Sequence, residues 1–248
     1  MQTTAFTAGG YRYVHGPFQY SNGVAALPGY RILRFRFHRP LPMREGFEAI
    51  EARLSALGRP LTAFCACELR SPTPFSDSGF VAFNRTYVET LAAWGLFRDD
   101  DNPVARSNVC PVLDPPAESV FHAFCCTIPD ENVAGSFVIS GGAEARPGSA
   151  PYAERILRLG ETSPEAMEEK VAHVLASMGA RMAALETGWP QATATQVYAP
   201  LGLSEAVMAQ LVRGGAAANG IDWTYAHPPV EGLVFEMDVR GLPEERVI

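Results

Sequence analysis

Hydrophobic and polar residues alternate along 30–38 (Tyr-Arg-Ile-Leu-Arg-Phe-Arg-Phe-His), the two-residue period of a strand with one wet face, and Pro40 and Pro42 are expected to close it. The period changes along 44–57. There Phe47, Ile50, Leu54 and Leu57 recur at helical spacing, with Gly58 as the stop. Strands are predicted over 11–15, 61–70 and 119–127, and a helix capped by Ser76 or Asp77 is predicted to run through Trp94. Residues 17–23 read as a loop. Between the acidic turn Asp99–Asp101 and Pro115-Pro116, the strand formers Val109, Cys110 and Val112 predict a short strand that opens on Arg106.

Residues 129–135 read as a linker. Beyond it, 136–140 is predicted to be a strand running into a Gly141-Gly142 loop, and 156–159 a second short strand. A helix starts at Thr162 or Ser163, with Pro164 in its first turn, and runs to about Leu185 with Met167, Val171, Val174, Leu175 and Met178 on one face. A strand over 193–199, a helix over 204–213 and strands over 221–226 and 233–239 complete the chain.

The two halves repeat one order of elements, and Pro115-Pro116 and Pro228-Pro229, 113 residues apart, mark the register. We therefore expect an α/β (α+β) fold of two domains, 1–130 and 131–248, each a mixed sheet with two helices on one face. Such a layer leaves the other sheet face bare, so assembly between repeats and between chains is expected.

Composition narrows the function. At 47% hydrophobic and 19% charged, this is an ordinary globular chain. A net charge of −7 argues against nucleic-acid or membrane-surface partners, both of which want a basic patch. Lys170 is the only lysine, and it lies in a charged helical run, which narrows Schiff-base chemistry to that one residue. Cys65, Cys67, Cys110, Cys125 and Cys126 sit in apolar strand-like runs and read as buried free thiols; Cys65, Cys67 and Cys125 with His122 match no usual zinc spacing. Together with an N-terminus that lacks the regions of a signal peptide, the thiols lead to the expectation of a cytoplasmic protein.

Four short motifs then fall in a telling order. Pro17-Phe-Gln-Tyr20-Ser21, Ala105-Arg106-Ser107-Asn108-Val109, Ser140-Gly141-Gly142 and Phe235-Glu236-Met237-Asp238 resemble, in turn, the Pro-Tyr-Ser, Ala-Arg-Ser-Cys-Val, Ser-Gly-Gln and closing Val-Glu-Ile-Glu segments of the YjgF/Rid imine and enamine deaminases. The resemblance implies two tandem chorismate-mutase-like (Rid-like) repeats, a trimeric homo-oligomer with sites where repeats meet, a substrate-binding arginine at Arg106 and a catalytic glutamate at Glu236. With the Pro-Pro pairs aligned, Arg106 faces Asn219 and Glu236 faces Ala123, so each half keeps one signature residue. A composite site with Arg106 from one half and Glu236 from the other is the resulting expectation. The family's cysteine after Arg-Ser is Asn108 here.

The chemistry fits that reading. Arg106 offers a rigid fork of donors for a carboxylate. Hydrolysis of an imine or enamine needs an aimed water and a proton-handling group, which Glu236 supplies if burial raises its pKa, and no cofactor or metal is implied. Alternatives stand beside each residue: Arg106 as a surface arginine, Glu236 as a strand residue paired with Arg240, and Glu144 or Asp222 as the acid. Tyr20, Asn108, Ser140, Gly141, Gly142, Glu144 and Trp223 are the candidate substrate-binding residues. Trp223, Tyr225 and His227, two apart, are expected on one strand face, walling a pocket or covering an interface. The expected activity is a deaminase acting on a small carboxylate-bearing imine or enamine, such as an aminomuconate-like product of aromatic breakdown. A chorismatase-like hydrolase and a non-catalytic ligand-binding protein are the alternatives.

Overall fold

The computed structural model describes residues 1–132 and 135–248. Positions 133 and 134 of the expected linker lie outside the described residues. The first half contributes β1 (Thr3–Phe6), β2 (Tyr11–Val14), β3 (Gly23–Ala26), β4 (Tyr30–Pro42), α1 (Met43–Ala56), β5 (Phe64–Arg70), α2 (Asp77–Ala93), β6 (Ala105–Pro111) and β7 (Val120–Pro129). The second contributes β8 (Phe137–Ala143), α3 (Tyr152–Arg155), α4 (Pro164–Ala184), β9 (Ala194–Tyr198), α5 (Glu205–Arg213), β10 (Asp222–Thr224), β11 (Ala226–His227), β12 (Glu236–Gly241) and β13 (Glu245–Val247). Among the described residues these strands form two mixed sheets, a seven-stranded one ordered β1-β2-β3-β8-β12-β9-β10 and a six-stranded one ordered β11-β6-β5-β7-β4-β13.

The long helices follow the apolar stripes and their caps. Ser76, Ser163 and Ser204 each accept a backbone N–H of the turn they start, from Gly79, Ala166 and Val207, which satisfies donors the helix itself leaves free. Gly58, at φ +63°, takes the left-handed conformation that ends α1. Helices α1 and α2 cover one face of the six-stranded sheet through Phe47, Ile50, Leu54, Tyr87 and Leu91; α4 and α5 cover one face of the seven-stranded sheet through Val171, Val174, Met178, Val207 and Leu211.

The bare faces turn toward each other within one chain. Tyr11, Tyr13 and Val24 of one sheet meet Ile32, Cys65, Ala66, Ala105 and Cys125 of the other. Each sheet also takes strands from the other half: β1–β3 extend the seven-stranded sheet, and β11 and β13 flank the six-stranded one.

Several local expectations are corrected. Strand β4 runs through Pro40 to Pro42, because an irregularity between Arg36 and Leu41 absorbs the missing donors. Residues 61–63 form a single 3-10 turn ahead of β5, and 156–159 is a bridge and a turn instead of a strand. The expected strand 221–226 breaks at Tyr225. Its first part pairs with β9 in one sheet, and the next two residues pair with β6 in the other, so Trp223, Tyr225 and His227 share no face. All five cysteines are free and buried.

Part of the seam between the sheets is charged. Arg34 Nε donates to Glu68 Oε1 at 2.7 Å, and both side chains are almost wholly buried. Burial pushes the Glu68 carboxyl up, but the Arg34 guanidinium, its hydrogen bond, and the charges of Arg240 and Arg70 outweigh this and hold it well below the usual carboxylate range. Asp238, facing the same seam, is pushed by burial and by Glu68 to about 6, against the pull of Arg240. Removing one partner of a buried pair strands the other charge, so Arg34→Met is expected to lower the unfolding free energy by about 3–5 kcal/mol in urea titrations. The two carboxyls act oppositely with pH. Asp238 binds its proton more tightly folded than unfolded, so it favours the folded state as pH falls through about 6; Glu68 binds it less tightly, so its contribution is lost below about pH 4. In urea titrations Asp238→Asn is expected to lose less stability than the wild type as pH rises from about 4 to about 7, and an unchanged pH dependence is the opposing result.

Candidate active site

The site is built where the start of β6 passes the end of β8. Strand β8 pairs with β12 at Met237↔Gly142 and at Val239↔Ile139, so two residues, Ser140 and Gly141, oppose Asp238 alone. This is a β-bulge. The expected Gly-Gly loop is therefore a bulged strand that stays in the sheet.

The bulge turns Ser140 toward the other sheet. Its Oγ donates to the Ser21 carbonyl at 2.5 Å and accepts from the Arg106 backbone N–H at 3.1 Å. Ser21 N–H in turn donates to the Val104 carbonyl at 2.9 Å. One hydroxyl thus fixes the Tyr20 loop, β8 and the first residues of β6 together. Ser140, expected to bind substrate, has its donor engaged by protein backbone.

Arg106 is 2% exposed, which overturns its reading as a surface arginine. Its guanidinium carbon lies 4.7 Å from the Tyr87 ring centre and 5.1 Å from that of Tyr20, with Phe80 and Phe83 at 6.0 and 5.8 Å. Its Nη2 donates to Asn84 Oδ1, and Asn84 is itself held by donating to the Phe80 carbonyl of the preceding helical turn. The other two nitrogens, Nε and Nη1, are buried without a hydrogen-bond partner. Two residues on, and on the same strand face, Asn108 is buried as well; its Oδ1 accepts from Ser71 Oγ at 3.0 Å, and its Nδ2 has no partner. Unpaired buried donors of this kind are rare and expensive in a folded protein.

Glu236 opens β12 and is 4% exposed. Gly141 makes room for it: a Cβ on that glycine would lie 2.0 Å from Glu236 Oε1. Burial pushes its carboxyl well above the usual range, and the neighbouring Asp238 and Glu144 charges add to this; Arg181 and Arg106 pull it back. Burial likewise raises the Tyr20 phenol, helped by Tyr152 and Glu236 and opposed by Arg181 and Arg106. Arg106 and Glu236, expected from opposite halves of the chain, thus lie within electrostatic reach of each other, with Tyr20 beside both.

Glu144 sits in a second layer. It is fully buried, with Oε1 3.4 Å from Lys170 Nζ, and it accepts from the backbone N–H groups of Val234 and Phe235 at 2.7 and 3.1 Å. It anchors the chain just before Glu236. Lys170, expected in a charged helical run, is fully buried as the counter-charge of Glu144. The remaining candidates lie apart. Trp223 is 48% exposed on the edge strand β10, and the neighbouring β11 joins β6 at Cys110 and Pro111, the end of the strand away from Arg106. Asp222 lies exposed on the same edge strand. Asn219 donates to the Ala192 carbonyl at 2.5 Å, a loop-holding role.

Two cage residues were not among the candidates, Asn84 and Arg181. Each interrupts an apolar helical stripe: Asn84 between Phe80 and Tyr87 on α2, Arg181 beside Val174, Met178 and Met182 on α4. A polar residue inside a buried stripe is the signal that marks them. Among the described residues no group of three or more His, Cys, Asp or Glu is arranged to hold a metal ion, and no helix is long and apolar enough to cross a membrane.

The Gly141 gap gives a direct test. Gly141→Ala introduces a Cβ that only a shift of the Glu236 carboxylate can accommodate, at a φ an alanine tolerates. The melting temperature is expected to stay within a few degrees while turnover falls by about tenfold or more; unchanged turnover removes Glu236 from the reacting centre.

Comparison with known proteins agrees with this chemistry and corrects the lineage. The family described as 2-aminomuconate deaminase CnbZ matches residues 3–246. The chain is 50% identical over 245 residues to the 2-amino-5-chloromuconate deaminase of Comamonas testosteroni, covering 98% of each chain. A crystal structure of a chorismatase superimposes with a TM-score of 0.46 at 9% identity, over 92% of this chain and 78% of that one. The expected descent from two tandem YjgF/Rid repeats is overturned, because one family spans both halves as a single unit; the expectation of a deaminase stands. The chain belongs to the CnbZ family of 2-aminomuconate deaminases.

Proposed function

We propose that the protein hydrolyses the carbon–nitrogen bond of a 2-aminomuconate-type compound, releasing ammonia and leaving a carbonyl. The observation that carries this reading is the Arg106 guanidinium: always charged, buried in an aromatic cage, and with two donors unpartnered. A cation in that position lacks the anion that would balance it, and a substrate carboxylate supplies one in two-point geometry. Asn108 Nδ2 adds a third free donor on the same strand face. The flat rings of Tyr20, Phe80 and Tyr87 suit a conjugated chain.

Glu236 is the proton carrier in this scheme. Burial raises its pKa well above the usual carboxylate range, which favours the protonated form over the carboxylate. It donates that proton to the enamine carbon beside the amino-bearing one, while the nitrogen lone pair forms the C=N bond. The resulting carboxylate takes a proton from a water whose oxygen bonds to the imine carbon. Glu236 then returns a proton to the nitrogen, the C–N bond breaks and ammonia leaves, and the hydroxyl proton passes to the Glu236 carboxylate as the C=O forms, which restores its starting state. Each step moves one proton over a short path, work suited to a single buried carboxyl.

The proposal extends to the organisation of the chain. Two units, 1–130 and 131–248, are supported by the two helix-covered cores, each drawn chiefly from one half. A cytoplasmic homo-oligomer, with the trimer as the expected form, is supported by the five free thiols and by the exposed Trp223 and Tyr225.

Ammonia release from 2-aminomuconate by purified protein tests the activity. Arg106→Lys keeps the charge but loses the fork and is expected to reduce kcat/KM by about 100-fold or more with the fold intact. Glu236→Gln is expected to lower kcat by about 10²–10⁴-fold and to abolish the loss of rate that the wild type shows as pH rises through the Glu236 pKa. A Glu236→Gln enzyme with wild-type rate and pH profile refutes the assignment.

A further inference from the structure

Arg181 is unassigned by any of these roles, yet it is the second cation of the site. It projects from the last turn of α4 onto β8, where Gly142 leaves space for it and for the Met178 methyl: a Cβ there would lie 2.5 Å from Met178 Cε, 3.0 Å from Arg181 Nη1 and 3.2 Å from its Nη2. Nη1 donates to the carbonyls of Ser140 and Gly141 at 3.0 and 3.3 Å. Those carbonyls fix the guanidinium against the bulge without balancing its charge. Its Nε is buried with no partner, and among the described residues it forms no salt bridge. The adjacent glycines therefore do two different things: Gly141 admits the Glu236 carboxyl, and Gly142 admits the Met178 methyl with the Arg181 fork beside it.

Building on the deaminase reading above, we propose that Arg181 binds a second carboxylate, so that the site grips a dicarboxylate at both ends with the reacting carbons between the two forks. Two observations point this way. Arg106 and Arg181 are anchored on different elements, β6 and α4, and meet at one segment of β8: Arg181 Nη1 donates to the Ser140 and Gly141 carbonyls, while Ser140 Oγ accepts from the Arg106 backbone N–H and Gly141 faces the Glu236 carboxyl. Both guanidinium charges also pull down the Glu236 carboxyl and the Tyr20 phenol. A six-carbon diene with a carboxylate at each end is dianionic, and its transfer out of water needs two compensating cations. An arginine that served only to hold the bulge would need its carbonyl contacts alone, and no second approach to the reacting centre.

The inference is tested on binding, with ligands that differ by one carboxylate and do not react. Hexa-2,4-dienedioate and hexa-2,4-dienoate are titrated calorimetrically into the wild type, Arg181→Gln and Arg106→Gln. The wild type is expected to bind the dienedioate at least about tenfold more tightly, the range for one charge-assisted contact. Arg181→Gln is expected to bring that preference to within about twofold while keeping its affinity for the dienoate. Arg106→Gln is expected to weaken both ligands. Should Arg181→Gln fail to fold, Arg181→Lys, which keeps the charge without the fork, is expected to retain a reduced preference. A wild type that binds the two alike or binds neither overturns the second anchor, as does an Arg181 variant that loses both ligands equally or keeps the full preference. Because the ligands do not react, failure of ammonia release in the activity assay refutes deamination without touching this result.

Discussion

The whole site depends on how two sheets are held at one point. Ser140 Oγ joins the Tyr20 loop to the first residues of β6, and it reaches them only because a bulge turns two successive residues of β8 toward the other sheet. A regular strand would alternate and leave one of the pair facing α4. With the bulge, Ser140 fixes the backbone of Arg106, and Gly141 opens space for Glu236. The relation of Arg106 to Glu236 is thus set by backbone geometry, upstream of either side chain's rotamer.

Around that point the protein keeps charges buried under two different regimes. At the seam, Arg34 and Glu68 neutralise each other in direct contact, Arg70 lies 3.6 Å from the second Glu68 oxygen, and Glu68 stays ionised. At the rim, among the described residues, Arg106 and Arg181 form no salt bridge, and Glu236 is driven toward its neutral form. Charges paired within the protein rigidify it, while unpaired ones hold binding capacity for a ligand of complementary charge. Glu144 belongs to the first regime although it adjoins the second. With Lys170 it holds the chain that leads into Glu236, so its charge is structural and its position functional.

Much of this was legible in the sequence, for reasons that differ by element. The helices showed because their stripes and their Ser76, Ser163 and Ser204 caps are local features. Strands β1, β3 and β13 did not: each spans only three or four residues, and pairing with distant strands decides them. The break at Tyr225 was hidden for the same reason, since nothing local says that the residues on its two sides belong to different sheets. Arg106 and Glu236 showed because their flanking residues resemble known site motifs. That resemblance pointed to a deaminase, which the family match bears out, and to an ancestry that the same match overturns. Short motifs at strand ends constrain a few residues, whereas family membership rests on the whole length of the chain.

Arg181 marks where local reading stops. On a helix an arginine is expected to face water, and its neighbours Val174, Met178 and Met182 alone make that placement suspect. The decisive feature is on another element: a glycine at 142 whose missing side chain leaves room for the Met178 methyl and the Arg181 guanidinium. Gly141 and Gly142 look in the sequence like a turn, and the freedom usually ascribed to such a pair is conformational. Neither takes a left-handed φ here. Their function is absence of volume, on opposite faces of one strand, and it becomes visible only when the groups that occupy those two spaces, a carboxyl and a cation, are seen to converge on one site.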